Sequence, residues 1–193
     1  MNLRCFTLPL FCLTPFLDAQ QLLRGKVEDV PSTSTFVLDC TRIPVQSAAF
    51  NLNAWVGLEA EMKVANVGTP TQPRLEIQAI AAVAPNFDMG NLKLNQSARW
   101  QIRGNAGELS AAWIQVTDAT GYLPLGPSGT WLLGAVPLFV NSGTINGAGV
   151  FEFNLTMPNL PHLVGTSFTG QGALLAGGNL RMTNPDCRDV RSN

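Results

Sequence analysis

His162 is the only histidine in the chain, so any Ser-His-Asp or Cys-His device would have to use it. It lies in PNLPHLVG, between two strand signals, and no G-x-S-x-G elbow is present to offer it a nucleophile. A surface turn residue is the expectation, since loops collect polar side chains without function. Glycoside hydrolysis needs two acids facing each other across a cleft. From Gly104 to Leu180 the only charged side chains are Glu108, Asp118 and Glu152. Glu152 alternates outward between Phe151 and Phe153, and Asp118 sits in the turn TDATG. Solvated positions are expected for them. Glu59 and Glu61 share a strand face, as two calcium-binding carboxylates would, but no D-x-D-x-D-G loop accompanies them. GPSGTW and GTINGAG lack the lysine and the following helix of a phosphate loop. No catalytic residue, metal ligand or cofactor site is assigned.

Two other residue sets carry chemistry. Trp55, Trp100, Trp113 and Trp131, with Tyr122, could stack on the apolar faces of sugar rings. Trp100 and Trp113 sit in strand register with Ala and Ile neighbours, which points to core. Trp131 and Tyr122 flank a Gly-Pro loop and are the better candidates for ligand stacking. The second set is Cys40 and Cys187. Removal of a leader containing Cys5 and Cys12 leaves only these two, so one intramolecular disulfide is available. The alternative is two free thiols, Cys40 in a core and Cys187 exposed in the polar stretch NPDCRDVRSN. Geometry decides between them.

The leader itself has the layout of a signal peptide. Arg4 gives a positive start, CFTLPLFCLTPFL an apolar stretch, and Asp18-Ala19-Gln20 a cleavage point after a small residue. No segment has the roughly 18 uninterrupted apolar residues of a membrane helix. Export without an anchor is expected, to the extracellular space or cell envelope. There the oxidising environment lets a disulfide persist.

These residues are positioned by strands. Apolar residues make up 46% of the 193 and charged residues only 13%, too few for long surface helices. The net charge of −1 and the absence of a basic stripe argue against nucleic acid as a partner. From Leu22 the apolar period is two. Phe36, Leu38 and Cys40 share one face, and Leu58, Ala60, Met62 and Val64 another, with Glu59, Glu61 and Lys63 toward water. Leu75, Ile77, Ala79 and Ala81 repeat the pattern. Only QSAAFNLNAWVG could be a short helix. Alternation restarts after Ala84-Pro85-Asn86 with Ala98, Trp100 and Ile102, and later with Phe151, Phe153 and Leu155. The expected architecture is all-β. A signal peptide (1–19) precedes a small barrel-like unit of the oligonucleotide/oligosaccharide-binding type (20–85). A β-sandwich of jelly-roll or immunoglobulin-like character with a C-terminal tail (86–193) follows.

The run YLPLGPSGTWLLG, the stretch SGTINGAGVFEFNLTMPNLPHLVGTSFTGQGALL and the closing NLRMTNPDC resemble small secreted β-sandwich modules of planctomycete-type bacteria. The resemblance spans roughly residues 98–187 and rests on turn glycines, prolines and core positions. It implies a fold and carries no functional residue. The expected function is a non-catalytic secreted or cell-surface structural or interaction module. Its partners would be copies of itself or other surface proteins. A carbohydrate-binding module, taking polysaccharide, is the first alternative and a secreted hydrolase the second. A flat apolar patch would favour assembly, coplanar exposed aromatics a sugar ligand, and facing carboxylates an enzyme.

Overall fold

The computed structural model describes residues 20–117 and 121–192, so the expected signal peptide (1–19) and Asp118 lie outside the described residues. Five strands form the first unit: β1 (Gln21–Asp29), β2 (Phe36–Leu38), β3 (Pro44–Gln46), β4 (Glu59–Asn66) and β5 (Leu75–Ala82). They close in the order β1-β2-β3-β5-β4, with β4 pairing back onto β1 and β3 running parallel to β5. This is the expected small barrel, and a 3-10 turn at Leu52–Trp55 occupies the irregular stretch between β3 and β4.

Alternation explains most of the interior. Leu23, Val27, Leu38, Val45, Met62, Val64, Leu75 and Ile77 are buried and packed together. Two expectations need correction. Ala79 and Ala81 are not interior, because an irregularity at Lys63–Val64 shifts the β4–β5 register. An extra residue in one strand flips the phase, and Ile80, opposite Met62, packs inward instead. Leu58 is exposed, since it belongs to the turn closed by its N–H on the Trp55 carbonyl.

The second unit is a sandwich. One sheet has the order β11 (Leu138–Thr144), β8 (Leu109–Val116), β13 (Ser167–Ala176), β14 (Asn179–Asp189). The facing sheet has β12 (Val150–Thr156), β7 (Ser97–Arg103), β6 (Phe87–Asp88), and β9 (Leu123–Pro124) pairs with β10 (Thr130–Trp131) apart from both. Trp100 is fully buried between Phe87, edge-on at 5.8 Å, and Phe153 at 5.5 Å. Gly170 and Gly172 of β13 let the core close. A Cβ on Gly170 would lie 2.5 Å from Met89 Sδ, and one on Gly172 would lie 3.2 Å from both Phe87 and Ile102.

β14 overturns the reading of residues near Cys187 as a loose polar tail. The strand is polar because its side chains bond to the segment around β6, in the facing sheet. Asn184 Oδ1 accepts from the Asn86 and Phe87 N–H groups, and Asp186 Oδ2 accepts from Met89 N–H at 2.8 Å. Buried polar groups of this kind are sustained by their partners, so hydrophobic alternation is not required to hold the strand.

The two units share one seam. Leu132, just beyond β10, packs into the barrel core, and Thr130 Oγ1 donates to Leu22 O. Cys40 and Cys187 are disulfide-bonded with Cα atoms 5.3 Å apart, within the ordinary range for a bridge. Cys40 sits at a φ of 62°, a left-handed position uncommon for a side chain of this kind.

Candidate functional site

The outer face of the β11-β8-β13-β14 sheet carries a group of exposed apolar side chains. Alternation puts residues 169, 171, 173 and 175 of β13 on this face, because 170, 172 and 174 turn toward the sandwich core. The barrel side covers one half. There Thr169 Oγ1 donates to Cys40 O, and Gln171 reaches Thr130 O and the Leu132 N–H.

The other half is open. Leu109, Leu175 and Leu180 are successive cross-strand partners on β8, β13 and β14, exposed by 55%, 40% and 39%. Ala111, Trp113 and Ala173 continue the surface between them, and Ser142 and Thr144 border it on β11. Phe139, 59% exposed, stands edge-on to Trp113 at 6.0 Å. No charged side chain lines this shallow hollow.

Trp131 and Tyr122, the candidate stacking residues, pack against different neighbours. Trp131 stands edge-on to Trp113 at 5.3 Å and 77°, so Trp113 is coplanar with neither Trp131 nor Phe139. Tyr122 belongs to the other unit's surroundings. It packs against the barrel core and its hydroxyl donates to Gln21 Oε1. Burial pushes the Tyr122 phenol up to about 12. Trp113, expected in the core, is half-buried on the outer face.

A second concavity lies on the barrel. The β4–β5 loop, Arg42, Pro44, Arg74 and Tyr122 enclose a groove of about 770 Å³. A smaller hollow of about 450 Å³, lined by Thr35, Phe36, Gln46 and Phe50, shares Pro44 and Arg74 with it. Together they run along the β2–β3 side, between the β1–β2 and β4–β5 loops, where barrels of this type take up oligomeric ligands.

The candidate acids are engaged elsewhere. Glu108 is buried and accepts from Arg181 Nη2 at 2.6 and 2.8 Å and from Asn105. Burial opposes its charge, but these contacts outweigh it and hold the carboxyl below its ordinary value. Glu152 pairs with Arg99, and His162 sits exposed in the short 3-10 turn Pro161–Leu163. Neither groove is lined by any of the three.

The sequence reading missed a buried acidic junction. Glu59 points away from the barrel interior, as its register requires, but it is only 9% exposed because the seam covers it. Its Oε1 has no hydrogen-bond partner. Burial, with Asp39 and Asp186 adding like charge against the attraction of Lys26 and Arg24, pushes Glu59 up to about 7. Burial likewise raises Asp186 to about 6, against the opposing pull of Met89 N–H and Arg188. Asp39, Cys40 and Cys187 also approach one another closely, but the two sulfurs are bonded to each other and are not thiolate ligands.

The chain matches no protein-family profile, and no curated protein is similar to it. Among the described residues, no helix is long and apolar enough to cross a membrane.

Proposed function

We propose that this protein is a non-catalytic interaction module, exported to the cell surface or extracellular matrix, which docks through the open half of its outer sheet face. The observation that carries this reading is the charge-free surface of Leu109, Trp113, Phe139, Leu175 and Leu180. Large apolar patches on soluble domains mark sites of interaction. Export is supported by the leader sequence and by the Cys40–Cys187 bridge, a bond that persists in oxidising compartments. The non-catalytic reading is supported by the engagement of Glu108 and Glu152 in ion pairs with arginines. The resemblance of residues 98–187 to secreted bacterial modules agrees with it.

A second reading, carbohydrate binding, is favoured by one observation, the barrel groove with Arg74 at the centre of its two hollows. One assay separates the two. The protein lacking residues 1–19 is incubated with envelope fractions and extracellular polysaccharide of its host. The wild type is compared with the pair Leu109→Glu/Phe139→Glu and with Arg74→Ala. The docking reading expects envelope binding lost in the pair and kept in Arg74→Ala. Polysaccharide binding abolished only by Arg74→Ala would replace it with the sugar reading.

A further inference from the structure

We propose that a second copy of this chain is what covers the open half of the outer sheet face, in a two-fold, face-to-face pairing of β11-β8-β13-β14 sheets. The inference rests on the docking reading above and names its partner.

The same face already carries one packed interface, since its other half is covered by the barrel loop at Cys40, whose carbonyl accepts from Thr169, and by β10, whose Thr130 carbonyl accepts from Gln171. The sheet is thus built to be covered, and the chain itself supplies cover for only half of it. Sheets packed face to face lie about 10 Å apart with their side chains interdigitated, and staggered leucines and alanines suit this. Leu109, Leu175 and Leu180 form one ridge, while Ala111 and Ala173 leave a furrow beside it. A ridge and a furrow on one surface are what a self-complementary two-fold interface needs.

Charge selects the partner next. The face offers no ionic group to attract an acidic or basic surface. Apposing it with its own image brings no like charges together. Area gives the strength. The exposed fractions of Leu109, Phe139, Leu175 and Leu180, with the half-buried tryptophans, amount to about 500 Å² per chain, or about 1,000 Å² for a pair, the lower bound of a specific interface. A reversible dimer of micromolar affinity is the result to expect.

Edge-to-edge pairing through β11 is the competing geometry. β11 is an edge strand without a charged residue, but its ladder is interrupted between Phe139 and Asn141, and the Asn141 side chain accepts the Ser142 N–H. Irregularities of this kind blunt an edge. The face, not the edge, remains open.

Sedimentation velocity on the protein lacking residues 1–19, from 1 to 200 µM, tests this. The expected result is a monomer–dimer equilibrium in the wild type, weakened at least tenfold in Leu175→Glu and in Leu180→Lys. Far-ultraviolet circular dichroism should show both variants folded. A wild type that stays monomeric at 200 µM overturns the second copy as occupant, while the envelope assay still decides the docking reading. A dimer that survives both face substitutions overturns the face. A dimer lost only on disrupting β11, as in Val140→Pro, would assign the edge instead.

Discussion

Gln171, on the sandwich strand β13, holds Leu132 in the core of the barrel. Its Oε1 accepts the Leu132 N–H at 2.8 Å, and its Nε2 donates to Thr130 O at 2.8 Å and Thr183 O at 3.1 Å. Gln171 is fully buried, so all three bonds are made away from water. Replacement by Leu would strand one donor and two acceptors. Gln171→Leu is expected to destabilise the protein by roughly 3 kcal/mol, since a buried unsatisfied group costs about 1–3 kcal/mol. Urea denaturation checks it, and a loss under 1 kcal/mol would mean that the seam is not organised by this side chain.

The disulfide reinforces the same seam by a different route. The bridge closes a loop with a sequence separation of 147. In the chain-entropy model a loop of this length is worth about 5 kcal/mol, which native-state strain can reduce by half. Cys40→Ala/Cys187→Ala should therefore lower stability by about 2–5 kcal/mol. Non-reducing peptide mapping should recover the two cysteines in one linked fragment. Alkylation of both without reductant would rule the clamp out.

Stability should fall as pH rises through neutrality. Glu59 ordinarily titrates near 4.5 but is pushed to about 7 in the fold, and Asp186 is moved from 3.8 to about 6. Between the ordinary and the raised values the folded chain binds more protons than the unfolded one, so stability decreases with increasing pH. A higher Tm at pH 5 than at pH 8 is expected. Glu59→Gln should reduce this difference and stabilise the protein at pH 8 by on the order of 1 kcal/mol once solvent screening is discounted. A Tm profile for Glu59→Gln identical to the wild type would remove Glu59 as the cause.

His162 is expected to be dispensable. It is exposed in a short turn, and His162→Ala should change stability by less than about 0.5 kcal/mol. A hydrolytic activity lost on this substitution would refute the non-catalytic account.

The sequence made the barrel, the sandwich and the cysteine pair legible because each follows from a local rule. Period-two alternation marks Met62 and Val64 as interior, and Cys40 and Cys187 are the two cysteines beyond residue 19, which leaves one pairing between them. What it hid was non-local. β14 reads as a polar tail because Asn184 and Asp186 bond to the backbone around β6, about a hundred positions away in the chain. Glu59 keeps its outward register, but only the docking of the sandwich removes it from water. Trp113 alternates correctly with Ala112 and Ile114, yet periodicity alone does not say which face of a two-sided strand is core. The open apolar half-face escaped for the same reason, since only the packed fold shows how far the barrel extends over it.

Oxidative footprinting of the envelope-associated protein against dilute purified protein tells whether this half-face is the docking surface. Trp113, Phe139 and Leu175 should be protected, with the groove residues Pro44 and Tyr122 oxidised equally in both samples. Protection confined to the groove, with Phe139 equally oxidised in both, would contradict it.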